Sequence, residues 1–320
     1  MISILITTYE RPHQLLESLG SVATQDEGLI EEIILGDDSG KEIQQLNARI
    51  VAETSLNNEI RHLQRDQSLG TFPNIWDMAH QSRGKYILLL HDDDRLCPDA
   101  LRTLHGSASA ETDSEVRIWF GRNRIIDTTG AVDSQRTASD MAHYGKNGTA
   151  CIQPMWYWAL WQALPPNGYL IEREIFLQHM MGTRDGNVSD YRFAVRLANA
   201  GYKARFIDQD ISDWRSQPIS NTGGGVDVHF TYEAMRELRV PKEFLAQKKQ
   251  RIQGLAPVAT RRYLKSGDRK RALLCYLREW TFMQRLHPRG IATLCMFFLP
   301  DQFNKRLLRV GAKPLSESPK

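Results

Sequence analysis

Cysteine is scarce in this chain of 320 residues: Cys97, Cys151, Cys275 and Cys295 are widely spaced and form no Cys-x-x-Cys pair. With no basic leader or cleavage site ahead of the first apolar segment, that usage is expected of a cytoplasmic protein in a reducing compartment. Long apolar runs are missing as well. The run from Ile291 to Pro300 is about half of the ~20 residues that span a bilayer, so no transmembrane helix is expected. No internal repeat or long low-complexity segment occurs. No helix-turn-helix, zinc or RNA-binding signature accompanies the basic residues, which argues against a nucleic-acid partner.

What is present suits an α/β protein, either one large domain or one domain with a smaller appendage, with 41% apolar residues. Short β-rich runs at 2–8, 31–36, 59–64 and 86–90 alternate with segments of helical periodicity. This alternation predicts a mostly parallel, Rossmann-like sheet covered by helices, with ligands beyond the carboxyl ends of the strands. Those ends carry Thr7-Thr8-Tyr9, Asp37-Asp38-Ser39 and His91-Asp92-Asp93-Asp94. A further strand-like run follows at 116–127. Trp156, Tyr157, Trp158 and Trp161 crowd a segment ahead of a Pro-Pro-Asn-Gly turn, and helical spacing makes Trp158 and Trp161 the expected buried pair. Residues 189–208 read as a helix with Ser189 as N-cap, Gly201 as its stop and a strand after it.

Charge divides the chain unevenly. Pro241 to Lys320 hold 18 Lys+Arg against 5 Asp+Glu, a net +13, which leaves −10 for residues 1–240. The expected division is a domain over 1–225 and a basic helical extension over 226–320. In the extension, arginine and lysine interleave with Leu, Trp, Phe and Tyr, the pattern of an interfacial helix on an anionic membrane. Ordinary helices packed on the domain would show a similar pattern.

Three adjacent aspartates after an apolar strand need something to offset their repulsion. One reading is a loop that caps the helix starting near Pro98. The other is a hard divalent cation, Mn²⁺ or Mg²⁺, completed by phosphate oxygens. The wider context resembles the family 2 glycosyltransferases, with their A-type glycosyltransferase fold. The resemblance rests on ISILITTYERPHQLLESLGSV, IILGDDSG, GTFPNIWDMAHQSRGKYILLLHDDDRLCPDAL and SDYRFAVRLANAGYK, in order over about residues 1–220.

That resemblance implies an inverting, metal-dependent transfer of a sugar from a UDP- or dTDP-linked donor to an acceptor hydroxyl, as in O-antigen or capsule synthesis. It places Thr7 and Tyr9 at the nucleotide base, Asp37 or Asp38 at the base or ribose, and Arg11, Asp92 and Arg215 in the donor set. Asp93 becomes the first metal ligand, with Asp94 and then Asp92 as further ligands, and Asp190 becomes the general base. Trp156, Trp158, Trp161, Asn167 and Trp214 fall in the acceptor region, where aromatic rings could stack on a sugar. Core packing is the competing expectation for the tryptophan cluster.

Two departures stand out. Ser189-Asp190 replaces a glutamate-aspartate pair, and Gln217 occupies the place of a histidine that contacts metal or diphosphate, for which His229 is a substitute candidate. A glycan or lipid-linked glycan is the implied acceptor, at the cytoplasmic face of the membrane. The Gln-x-x-Arg-Trp motif of processive relatives is absent, and TTYERPHQ (7–14) lacks the glycine-rich loop of a sugar-phosphate nucleotidyltransferase. A non-catalytic carbohydrate-binding protein on the same fold is the remaining alternative.

Overall fold

The computed structural model describes residues 1–54, 56, 58, 60–146, 148–182, 189–216 and 228–300. Strand β1 (Ile2–Thr8) is buried at every position, as expected of a parallel strand covered on both faces. It pairs in parallel with β2 (Ile30–Asp37) on one side and β4 (Tyr86–His91) on the other, and β3 (Ile60–Gln64) extends the sheet beyond β2. Helices α1 (Pro12–Ala23), α2 (Lys41–Glu53) and α3 (Thr71–Gln81) return the chain between these strands. Pro12 opens α1, where its missing N–H costs nothing, and Leu15, Leu19 and Val22 form its buried stripe.

Past β4 the sheet changes character. The two-residue β5 (Arg95–Leu96) is followed by α4 (Ala100–Ser109), β6 (Val116–Ile126), α5 (Ser134–His143), β7 (Cys151–Pro154), α6 (Met155–Trp161) and β8 (Tyr169–Glu172). Then come α7 (Arg173–His179), α8 (Ser189–Asn199) and the long β9 (Lys203–Arg215). The order across the sheet is β3-β2-β1-β4-β8-β6-β9-β5, with β7 also on β9. β8 runs antiparallel to β4 and β6, and β9 runs parallel to β6. Asp213 ties three strands together: it accepts from Arg95 of β5 (2.9 Å) and from Arg124 of β6 (2.7 Å).

Chain contacts divide the molecule into two units, Met1–Arg184 with Ser189–Gln217, and Asp185–Val188 with Pro218–Lys320. In the second unit α9 (Val228–Glu237), α10 (Leu245–Ser266), α11 (Arg269–Glu279), α12 (Phe282–Leu286) and α13 (Pro288–Met296) follow one another. Its core contains Met235, Ala256, Leu264, Ala272 and Trp280, whose Nε1–H donates to Thr260 (3.0 Å). Among the described residues, no helix is long and apolar enough to cross a membrane.

Candidate active site

Register alone brings the polar strand ends together. Thr8 lies opposite Asp37 in the β1–β2 ladder, and Thr7 opposite His91 in the β1–β4 ladder. Asp92, the first residue past β4, therefore reaches β1: it accepts from the Thr8 hydroxyl (2.8 Å) and the Tyr9 N–H (3.0 Å). Arg11, just before α1, points its Nη1 at Asp93 Oδ2 (2.6 Å) and Asp92 Oδ1 (3.4 Å). A guanidinium thus offsets the repulsion of the first two aspartates. None of the three caps α4, whose N-cap is Asp99.

Asp94 turns the opposite way, into the sheet. It accepts from Asn167 Nδ2 (2.5 Å) and from the Arg215 N–H at the end of β9 (2.8 Å). Asn167 is held by its neighbour Gly168, whose N–H donates to Leu89 of β4 (2.9 Å). Gly168 has φ +72°, and a side chain there would collide with Ser212, so the approach of β8 to β4 and β9 needs a glycine. The Arg215 side chain is almost wholly enclosed. Its guanidinium donates to the carbonyls of Asp93 (2.9 Å), Asp127 (3.1 Å) and Thr128 (3.2 Å) and pairs with Glu17 (2.5 Å). Expected in the donor set, Arg215 is instead committed to fixing the backbone of the acidic turn.

A second correction concerns Asp37. It is fully buried, with His62 (2.9 Å), Asn47 (2.9 Å) and the Ser39 N–H (3.0 Å) on its carboxylate, so it has no surface to offer a base or ribose. Burial would raise its pKa, but the hydrogen bonds from those partners outweigh burial and hold the carboxyl below its usual range. Asp38 accepts from the N–H groups of Leu69 (3.0 Å) and Gly70 (2.7 Å), binding β2 to the loop before α3. Tyr9, 55% exposed, stands over the strand ends, and the Thr7 hydroxyl meets His91 Nδ1 (2.9 Å).

Electrostatically the turn is strained. Burial, with the charge of Asp93 beside it, pushes Asp92 up to about 7 against the opposing pull of Arg11 and Tyr9. Burial and Asp93 also hold Asp94 well above its usual range, and burial lowers His91. Among the described residues no three His, Cys, Asp or Glu side chains converge as a closed metal cage. Asp93 is the aspartate that keeps solvent contact, with 18% of its side chain exposed. One accessible carboxylate fits a hard cation that takes most of its shell from substrate oxygens and water, not from protein.

Asp190 lies half-buried in the first turn of α8. Burial raises its pKa, and its charge is felt by the Tyr169 hydroxyl, two residues along the chain from Asn167. Trp158 is 1% exposed and packs edge-on against Phe120 (4.9 Å between centroids), so it cannot touch an acceptor. Trp156 and Trp161 are half-buried. Trp214 and Asn167 share the wall of a cavity of about 140 Å³ with Asn123, Tyr144 and Lys146. Neither Lys146 nor Tyr144 carries a motif that would mark it in the sequence.

His229 belongs to the second unit, where its ring packs on Phe230 (4.0 Å) and Tyr263 (5.4 Å). Gln217 and the NTGGG segment lie outside the described residues. A wider cavity of about 490 Å³, lined by Met1, Lys85, Tyr86 and Val116, opens at the amino ends of the strands, away from the groups just described.

Residues 3–150 match the family described as Glycosyl transferase family 2. No curated protein matches the chain. Among solved structures, TarS 1–349 from S. aureus in complex with UDP is similar at 13% identity, covering 97% of this chain and 91% of that chain, with a TM-score of 0.59. The same protein in complex with UDP-GlcNAc is similar at 17% identity over 92% of this chain and 80% of that chain (TM-score 0.56). The mannosyltransferase PcManGT from Pyrobaculum calidifontis in complex with GDP-Man and Mn²⁺ is similar at 12% identity over 95% and 87% (TM-score 0.54). At these identities the likeness is one of fold.

Proposed function

We propose, on the premise that residues 3–150 belong to glycosyl transferase family 2, that this chain of A-type glycosyltransferase fold transfers one sugar from a nucleotide-diphosphate donor to an acceptor hydroxyl with inversion. The observation that carries the reading is the convergence of Thr7, Tyr9, Arg11 and Asp92–Asp94 where β1 and β4 end. That place is where an open α/β sheet receives a nucleotide.

Tyr9 offers an exposed ring to the base, while Asp38, buried with its carboxylate on Ser68, Leu69 and Gly70, fixes the loop before α3. Asp93, the accessible one of the three aspartates, would hold Mn²⁺ or Mg²⁺, with Asp92 and Asp94 enclosed behind it rather than serving as ligands, and a bound cation would stabilise charge on a leaving diphosphate. Arg11 supplies the positive charge of the protein itself beside that position. Asp190, raised by burial, takes the proton of the attacking hydroxyl. Arg215 and Asn167 keep the acidic turn in one geometry, so that little reorganisation accompanies the reaction.

UDP or dTDP is the proposed nucleotide, and a glycan or lipid-linked glycan of a surface polysaccharide such as O-antigen or capsule the proposed acceptor. Support for membrane contact comes from the exposed Phe282, Met283 and Leu286 of α12, set among the basic residues of the second unit. Calorimetric titration with UDP and dTDP, with and without Mn²⁺, tests the donor site. Binding that requires Mn²⁺ and is lost in Asp93→Ala is the expected result. Absence of binding to both nucleotides, and to GDP, by folded protein would leave only a carbohydrate-binding role.

A further inference from the structure

The cavity beside Asn167 contains a charge that the proposed chemistry does not use. Lys146 is 4% exposed and lines that cavity, yet its ammonium makes no hydrogen bond or ion pair among the described residues. Its neighbours are the faces of Tyr144 (5.5 Å) and Phe120 (5.8 Å). Asp140 is the one carboxylate among the described lining residues, and it does not come within ion-pair distance of Lys146. Burial lowers Lys146 to about 8, with Asp140 opposing the shift, so the ammonium remains mostly protonated near neutrality. A second polar atom on the same wall is unmatched: Asn123 gives its Nδ2–H to Ser212 (2.6 Å), and its buried Oδ1 has no donor.

An enclosed ammonium with aromatic faces beside it but no anion within ion-pair distance carries a desolvation cost that an incoming anion reduces. Position says which substrate brings it. The nucleotide side of the sheet is β1, β2 and β3, whereas Asn123, Asn167 and Trp214 stand on β6, ahead of β8 and on β9, across Asp94 from Arg11. Tyr144 and Trp214 supply rings of the kind that cover the apolar face of a sugar.

We propose that this cavity is an anion subsite for the acceptor, in which Lys146 receives a carboxylate or phosphate borne by an acidic glycan. The proposal rests on the glycosyltransferase reading above and narrows its acceptor class.

The test compares methyl glucuronide, glucose 6-phosphate and the neutral methyl glucoside by ligand-observed NMR, on the full chain saturated with UDP. At least one charged sugar should bind about tenfold more tightly than methyl glucoside, the value of one charge-assisted hydrogen bond. The better of the two distinguishes a uronic acid from a phosphorylated glycan. Lys146→Met should erase that preference while UDP affinity stays unchanged and the thermal midpoint holds or rises, since the enclosed charge is removed, which separates a lost subsite from a lost fold. In the wild type, the Lys146 pKa should rise when the charged sugar is added. Equal binding of charged and neutral sugars, or a preference that survives Lys146→Met, overturns the subsite and leaves the donor reading standing. Failure to bind UDP, dTDP and GDP alike would overturn the donor reading, and the subsite with it.

Discussion

Asp190 can act as a base only when ionised, so the sign of its pH dependence is fixed. Burial moves its pKa upward from the ~3.9 of an ordinary aspartate, and transfer should weaken as pH falls through that raised value. A pH profile of kcat/KM should therefore show an acid limb above pH ~4. Asp190→Asn should reduce the rate by about 10²–10⁴ without altering UDP affinity. Loss of UDP binding in that variant would make Asp190 a donor-site residue. The identity of the acidic residues was legible in the sequence, but not their division of labour. Three adjacent aspartates look alike until partners 73 to 121 residues away, Thr8, Arg11, Asn167 and Arg215, turn two inward and leave Asp93 outermost. Asp37 and Asp38 are likewise alike in sequence, and only His62 and Asn47 show that the first is enclosed.

At the scale of the elements, β1, β2 and β4 announce themselves because each carries a compact apolar run between helical periodicities, whereas β3, with Arg61, His62 and Gln64 among its five residues, shows itself chiefly by its place in the alternation. β5 and β7, of two and four residues, carry no such signal. They exist because β9 is there to pair with them. Asp213 is the test of that dependence, since its removal leaves Arg95 and Arg124 facing one another without a shared carboxylate. Asp213→Ala should lower stability by about 2–3 kcal/mol in urea unfolding, below the 3–5 of a fully buried pair because both arginines keep solvent contact. An unchanged midpoint would mean that β5 is held by its backbone alone. The aromatic segment was readable in part. Helical spacing selected Trp158 for the core, but Trp161 remains half-buried because α6 ends there, with Gln162 in the left-handed region (φ 54°).

For the whole molecule, composition already separated an acidic α/β part from a basic helical one, since the charge per segment needs no tertiary information. The apolar surface of the second unit was not readable in the same way. Periodicity places Leu and Phe on helices but does not say which faces remain bare. Phe282 is 72% and Phe298 83% exposed, in a region of strong positive charge. Anionic vesicles should retain the protein in a flotation assay at low salt, and Phe282→Asp should release part of it, as should about 0.5 M salt, where the screening length falls to roughly 4 Å. Equal retention by neutral vesicles would assign the contact to hydrophobic insertion without lipid charge.

The rims of the sheet carry one more consequence. Among the described residues the sheet ends in β3 of five residues and β5 of two, with the four-residue β7 alongside β9. Each offers only a short row of free backbone donors and acceptors, and Arg61 of β3 is further tied to Glu32 (2.9 Å). A foreign strand gains too few ladder bonds at such margins to offset its own ordering. The sheet is therefore a poor seed for fibril growth, and the protein can be crowded at high concentration without its strands recruiting one another.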